Sequence, residues 1–330
     1  MTKEQVLNSI SLKKRFCKDY NLPIKLYDNP YFMQRLEIID NPDINLVDWL
    51  PLRSFKAVEK FNIFCKELER FKNEQDYFEY YAQVKDAMIN FIKDTKDFQN
   101  FTQLTFFNYA FPKTNLYKDE NCGCAFVSID MKKANFSALS YFSAKIFDDA
   151  ATWEEFVGKY TDCKHIIDSK YIRQVVLGAC NPKKTISYEC YLMGGLANYL
   201  NNKLGAEIYS VNSDEIIIKL GARAMGNFSL CDITKAIKDY DTRIADIVRT
   251  SLIFINDIPN TKGYIKTTET RQFGEFDMGE NYVEFKGLSG DIYHQIVKYA
   301  RGEQLTDDDL VFYYEGKLAR YLEGVDNPWK

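Results

Sequence analysis

The sequence predicts an α+β fold in which an antiparallel sheet is flanked by helices. Three observations support this prediction. Apolar residues recur at helical spacing between 55 and 92. Short apolar, partly β-branched runs follow residue 120, beginning with 125–129. Two of these runs are joined by a four-residue, turn-prone linker, which is the pattern of a β-hairpin.

Composition places the chain among globular proteins. Of its 330 residues, 46% are hydrophobic and 27% are charged, so the chain is able to build a large core and is not of the disordered type. It contains no stretch of about 20 apolar residues that would span a bilayer and no apolar signal segment at its start. We therefore expect a cytoplasmic protein with no membrane partner. The net charge of −4 excludes a basic surface over the whole protein.

The N-terminal region is predicted to be helical. Helices are expected over 55–71 and 77–92, where the apolar residues follow a helical period. The preceding stretch, 21–51, carries four prolines and is therefore incompatible with long helices or central strands. No residue among the first hundred carries recognisable chemistry.

The central region begins with a buried strand, Ala125–Ile129, that ends at Asp130. Helices are predicted to follow over 134–147, 153–160, 166–177 and 185–204, the last of them ended by Gly205.

A hairpin is predicted next, with strands over 206–211 and 216–220. Its linker, Asn212-Ser213-Asp214-Glu215, places two acids at the tip. Beyond it we expect a helix over 232–249, short strands between 251 and 286, and closing helices over 291–300 and 307–322.

Carboxylates brought from separate strands to one edge of a sheet suit a magnesium site, because magnesium prefers oxygen ligands. Nucleotidyl transfer uses two such cations, about 3.5–4 Å apart, to activate the attacking oxygen and to stabilise the leaving one. Asp130 at a strand end and Asp214 at a hairpin tip meet this requirement.

These residues resemble the right-hand palm polymerases. The segment FVSIDMKKANFSAL, from Phe126, resembles motif A of reverse transcriptases. The hairpin YSVNSDEIII resembles motif C, and its Asp-Glu pair is more similar to family A DNA polymerases. The same Ser-Asp-Glu tip also resembles the tRNA-His guanylyltransferases, more weakly.

Two further segments extend the resemblance. Residues 169–184 loosely resemble motif B, and 281–292 resembles a primer grip. The resemblance implies a helical N-terminal region over 1–118, an antiparallel palm sheet with inserted helices over 119–288, and a small thumb-like helical element over 289–330.

The resemblance also implies a role for each residue of the site. Asp130 and Asp214 would bind the metals, Mg²⁺ or Mn²⁺, and Glu215 would be a secondary ligand or would orient the primer end. The remaining residues would contact the nucleotide or the nucleic-acid backbone: Asn135 and Phe136 at the sugar, Lys170 and Arg173 at the triphosphate, and Lys183 at template or primer.

The sequence thus predicts a template-directed nucleotide polymerase whose partners are nucleoside triphosphates and a primed nucleic-acid template. The Asn-, Lys- and Ile-rich composition would suit an AT-rich phage or mobile element. Two alternatives stay open: a tRNA-directed or non-templated nucleotidyltransferase on the same core, and an inactive polymerase-derived scaffold that binds nucleic acid or protein. A partner subunit that supplies the basic surface this acidic chain lacks also stays open.

Overall fold

The computed structural model describes residues 1–22, 24, 27, 31–40, 45–47, 50–51, 55–220, 229–257, 263–269, 281–287, 311–314 and 317–320. Within these residues the chain is an α+β protein with one six-stranded antiparallel sheet flanked by helices. No helix among them is long and apolar enough to cross a lipid bilayer.

The N-terminal region is helical, as predicted. Its helices are α1 (Lys3–Asn8), α2 (Ile10–Asp19), α3 (Tyr31–Ile39), α4 (Ala57–Leu68), α5 (Glu74–Asp94) and α6 (Lys96–Gln103). Helix α3 forms inside the proline-containing stretch, but it has only nine residues and begins directly after Pro30. A short antiparallel pair, β1 (Asn45–Val47) and β2 (Leu50–Pro51), follows it.

The sheet contains strands from the middle and late parts of the chain. They are β3 (Ala125–Met131), β4 (Ile208–Val211), β5 (Glu215–Leu220), β6 (Val248–Asp257), β7 (Tyr264–Glu269) and β8 (Tyr282–Lys286). The spatial order is β4-β5-β3-β6-β7-β8, and every neighbouring pair is antiparallel. Strand β3 therefore lies between the hairpin strand β5 and the later strand β6.

The helices between β3 and β4 are α7 (Ala134–Phe142), α8 (Trp153–Gly158), α9 (Lys164–Ile167), α10 (Lys170–Gly178) and α11 (Pro182–Leu204). Helix α11 begins at an Asn181 cap with Pro182 in its first turn. It ends at Gly205, whose φ of 65° is in the left-handed region that glycine tolerates. The predicted end of this helix is confirmed.

The Gly194-Gly195 step lets another part of the chain approach α11 closely. A Cβ atom on Gly194 would lie 2.7–2.9 Å from the Tyr109 side chain, and one on Gly195 would lie 2.7 Å from the Tyr240 hydroxyl. The two glycines therefore serve side-chain packing on α11.

Three predicted helices are wrong. The helix expected over 166–177 is divided between α9 and α10, because Ser169 is extended and caps α10 through its side chain. The helix expected over 232–249 is divided into α12 (Leu230–Tyr240) and α13 (Thr242–Ile247), because Asp241 is extended and caps α13 through its side chain. Strand β6 then begins at Val248. In place of the helix predicted over 307–322, the structure has a hairpin, β9 (Val311–Tyr314) with β10 (Lys317–Arg320), consistent with the β-forming residues Val311 to Tyr314. The helix predicted over 291–300 lies outside the described residues.

The two faces of the sheet pack differently. Val127, Ile129 and Met131 of β3 belong to the large core shared with the helices. Phe126, on the opposite face, belongs to a smaller cluster with Leu116, Ile217, Ile253 and Ile255. We refer to this second side as the open face. The large core runs without interruption from the N-terminal helices to the sheet, so the domain boundary placed at residue 118 stays a prediction.

A buried polar network connects α2 to the helices that precede α11. Asp19 accepts hydrogen bonds from Ser169 Oγ at 2.8 Å and from Tyr81 Oη at 3.2 Å. Its other oxygen lies 2.6 Å from His165 Nε2. Asp19 and His165 are both 0% exposed, so this Asp-His-Ser group is a structural link with no route for a substrate.

Candidate active site at the end of strand β3

Asp130 lies near the end of β3, on the open face of the sheet. In the register of the sheet it stands opposite Glu215 of β5 on one side and Arg249 of β6 on the other. Residues directly opposite each other in antiparallel strands point to the same face. Ser128, two residues earlier, is on this face as well. One edge of the open face therefore combines two acids, a base and a hydroxyl.

The hairpin β4–β5 brings the second acidic motif to this edge. The backbone N–H of Asn212 donates to the carbonyl of Glu215 at 2.8 Å and closes the turn. The carbonyl of Asp214 accepts from the Met131 N–H, also at 2.8 Å, which fixes the hairpin tip against the end of β3. The structure therefore brings Asp130, Asp214 and Glu215 together, as the sequence led us to expect.

Two hydroxyl groups orient the acids of the hairpin. Ser128 Oγ donates to Glu215 Oε1 at 2.6 Å across the β3–β5 pair. Ser213 Oγ lies 3.2 Å from Asp214 Oδ1, within the turn itself. Because Ser128 belongs to a central strand, it holds the Glu215 carboxylate in a defined position relative to Asp130.

The electrostatics of the site reflect the concentration of negative charge. The pKa of Asp130 is raised to about 6, first by desolvation and then by the charges of Glu215 and Asp214. Lys266 of β7 and Arg249 of β6 act in the opposite direction. Asp130 is nevertheless exposed, so water screens these interactions in part. A group of acids that repel one another at a solvent-accessible position favours the arrival of a cation.

A cleft of about 320 Å³ adjoins the site. Its walls come from the segment before β3 (Lys113, Asn115, Tyr117) and from the hairpin (Asn212, Glu215, Ile217). The segment is held to the edge strand β4, because the Pro112 carbonyl accepts from Val211 N–H at 2.8 Å and Ser210 Oγ accepts from Thr114 N–H at 3.0 Å. This volume is at the lower end of the range of small-molecule sites, and Glu215 forms one of the walls.

Two predicted sugar-contacting residues follow Asp130 on α7. Asn135 is half-buried near the start of that helix. Phe136 is only 5% exposed, and its ring centroid lies 4.6 Å from that of Phe147 and 6.1 Å from that of Trp153. Phe136 is therefore a core aromatic, and the sequence pattern misplaced it, because a helix that packs against others buries an apolar residue at this position.

The predicted phosphate-binding residues are on other helices. Lys170 and Arg173 belong to α10, which packs against α2, α5 and α7. Burial lowers the pKa of Arg173, and Glu154 acts in the opposite direction. Lys133, at the start of α7, forms an ion pair with the same Glu154. Lys183 is exposed in the first turn of α11. The basic residues whose charge acts on Asp130 are Arg249 and Lys266 instead.

Sequence reasoning missed four residues around the site. Ser128 was detectable, since it precedes Asp130 by two residues in the same strand. Arg249 was assigned to the end of a helix, and Lys266 had no motif to mark it. The fourth is Glu189 of α11, which is 2% exposed and whose pKa is raised to about 8 by desolvation and by the charge of Asp214.

The donor chemistry of this cluster fits a hard divalent cation, which prefers carboxylate oxygens. Glu189 Oε1 has no hydrogen-bond partner although it is buried, so α11, which packs against the hairpin, carries an oxygen that the protein leaves unsatisfied. In the part of the chain that the structure describes, no group of three or more His, Cys, Asp or Glu side chains is already arranged as a metal site.

Comparison with known proteins gives no further guide to this chain. No protein-family model, no curated protein and no solved structure matches it. Its function has to be inferred from the residues of the site.

Proposed function

We propose that this chain is a divalent-cation-dependent nucleotidyltransferase of the template-directed polymerase type. The observation that supports the proposal is the convergence of Asp130 with Asp214 and Glu215 at one end of an antiparallel sheet. An acid at a strand end and an acidic hairpin tip are the two motifs by which the sequence resembles palm polymerases. We therefore propose that this chain shares its ancestry, as well as its chemistry, with those polymerases.

Asp130 and Asp214 would hold the cation, Mg²⁺ or Mn²⁺, through carboxylate oxygens. When bound, the cation activates the attacking hydroxyl and neutralises charge on the transferred phosphate. Ser128 would hold the Glu215 carboxylate against β3 through its 2.6 Å hydrogen bond. Arg249, opposite Asp130 in β6, would bind a phosphate oxygen, since guanidinium groups suit phosphate geometry.

The cleft beside Glu215 would receive part of the nucleotide or of the primer end. Tyr117 and Ile217 offer apolar surface there, and Lys113 offers a positive charge. Asn135 follows Asp130 closely in the sequence and is half-buried. In our proposal it takes the place of Phe136 as the residue nearest to the sugar. A partner subunit would add the nucleic-acid-binding surface that a chain of net charge −4 lacks.

Primer extension with the purified chain tests the proposal. DNA and RNA templates are crossed with dNTPs and NTPs, under Mg²⁺ and under Mn²⁺. Asp214→Asn removes one carboxylate charge from the hairpin tip, and Asp257→Asn is the matched control, because Asp257 is an exposed acid at the far end of β6. Extension that is lost in Asp214→Asn and retained in Asp257→Asn supports a polymerase.

Other outcomes distinguish the alternatives. Nucleotide addition that does not depend on a template would indicate the non-templated or tRNA-directed transferase. Binding of nucleic acid without incorporation, under every combination of template and nucleotide, would refute the enzyme and favour the scaffold.

A further inference from the structure

Glu189 is a buried carboxylate without a hydrogen-bonding role in the fold. Its residue is 2% exposed, and its Oε1 atom has no hydrogen-bond partner. Burying a polar group without a partner costs about 1–3 kcal/mol in proteins, and a charged group costs more. An apolar or amide side chain at this position of α11 would occupy the same space at a lower free-energy cost of burial. The carboxylate therefore calls for an explanation outside packing.

The position of Glu189 in the fold suggests that explanation. Helix α11 packs against β4 and β5, the two strands of the acidic hairpin. Asp214 at the tip of that hairpin is the charged group that acts on Glu189. Among the described residues no lysine or arginine forms an ion pair with Glu189. Glu189 and Asp214 thus belong to two elements that pack together, the charge of Asp214 acts on Glu189, and Glu189 has an unsatisfied oxygen.

We propose that Glu189 is a cation ligand, which supplies a carboxylate oxygen to a divalent cation held at Asp214. The cation site then includes α11 as well as the sheet edge that carries Asp130. This inference rests on the proposed function, because it extends the same acidic site. A cation between Asp214 and Glu189 satisfies the Oε1 atom and removes the repulsion between the two acids.

The site so defined has a mechanical consequence. Asp214 belongs to a turn, whereas Glu189 belongs to the middle of a 23-residue helix. A cation shared by the two fixes the turn to the helix and limits the orientations that the Asp214 carboxylate adopts. Glu189 is therefore a positioning residue for the cation and does not contact the nucleotide in this proposal.

Direct binding of Mn²⁺ tests the inference without any substrate. Free Mn²⁺ is measured by its electron paramagnetic resonance signal as it is titrated into the wild type, Glu189→Gln and the control Glu207→Gln. Glutamine keeps the size of the side chain and removes its charge. Glu207 is an exposed acid just beyond the end of α11, so its replacement makes the same chemical change, carboxylate to amide, without touching the site.

We expect Glu189→Gln to weaken Mn²⁺ binding at least tenfold and Glu207→Gln to leave it within twofold of the wild type. We also expect Mn²⁺ to raise the Tm of the wild type and of Glu207→Gln, and to raise that of Glu189→Gln much less. Equal affinity in Glu189→Gln and the wild type, or no Mn²⁺ binding by the wild type at millimolar concentration, would overturn the inference.

A second variant distinguishes the loss of a cation ligand from misfolding as the cause of weaker Mn²⁺ binding. Glu189→Asp keeps the charge but withdraws it by one methylene, so it should bind Mn²⁺ with an affinity between those of the wild type and Glu189→Gln. The inference is wrong if Glu189→Asp binds no better than Glu189→Gln while both are folded. Mn²⁺ binding that depends on Glu189 in a protein that fails in primer extension would retain this inference and reject the polymerase.

Discussion

Replacing Glu189 by glutamine is expected to stabilise the protein at neutral pH in the absence of divalent cations. Desolvation, together with the charge of Asp214, raises the pKa of this carboxyl group from its ordinary value of 4.5 to about 8. The folded state therefore binds the proton more tightly than the unfolded state does. The contribution of this carboxyl group to the free energy of unfolding is fully present below pH 4.5 and is lost as the pH rises toward 8. Glutamine does not titrate, so the variant does not undergo this loss.

The size of the effect follows from the same shift. One pKa unit corresponds to about 1.4 kcal/mol, so the free energy of unfolding of the wild type should fall by about 1 kcal/mol at pH 5, about 3 kcal/mol at pH 7 and about 4 kcal/mol at pH 8. The free energy of unfolding of Glu189→Gln, minus that of the wild type, should therefore grow by these amounts relative to its value at low pH. A buried amide adds a constant offset, because its own hydrogen bonding does not depend on pH.

Urea unfolding in EDTA at pH 5, 7 and 8 measures this difference. The control is Glu207→Gln, whose exposed side chain should leave the free energy of unfolding nearly unchanged at each pH. A difference between Glu189→Gln and the wild type that stays the same from pH 5 to pH 8 would refute the reasoning, since it would mean that the carboxyl group titrates alike in both states.

Three other predictions concern separate parts of the molecule. At cation concentrations well below saturation, nucleotide incorporation should fall as the pH drops below about 6, because a proton on Asp130 competes with the cation; a pH–rate profile that stays flat down to pH 5 under these conditions would contradict this. Asp19→Ala should lower the free energy of unfolding by about 3–5 kcal/mol, because it leaves buried polar partners unpaired; a loss below about 1 kcal/mol in urea would count against that network. Gly194→Ala should lower the Tm, since its Cβ would meet Tyr109. Gly178→Ala is the matched control and should leave the Tm unchanged, because a Cβ atom on Gly178 would have no neighbour within 4 Å. Tyr109→Ala should restore the Tm in the Gly194→Ala background.

Local patterns were sufficient for the elements that carry the acids. The apolar run before Asp130 forms β3, and the turn-prone linker that holds Asp214 forms the hairpin tip. Alternation along β3 also places Ser128 on the same face as Asp130. The α+β class and the antiparallel sheet followed from the same runs. These features depend on neighbours in sequence, which is why they were predictable.

The remaining features depend on contacts between distant parts of the chain. Glu189 is a polar residue in an amphipathic helix, and nothing near it in sequence reveals that a hairpin covers it. Arg249 was placed in a helix, since the apolar residues before it fit a helical period, whereas Asp241 ends one helix and starts another. Phe136 follows the acidic motif closely in the sequence, yet it packs against the aromatic cluster around Trp153 and is therefore buried in the core.

The pairing of β3 with β5 also bears on how the chain folds. Ser128 and Glu215 bond across this pair although they are 87 residues apart in the chain, and the helices α7 to α11 lie between them. Helices form early from local contacts, whereas a pairing of this kind has to close a long loop first. We therefore predict that the acidic edge is completed late, after the transition state for folding. A ligand of that edge should slow unfolding and leave the rate of folding unchanged.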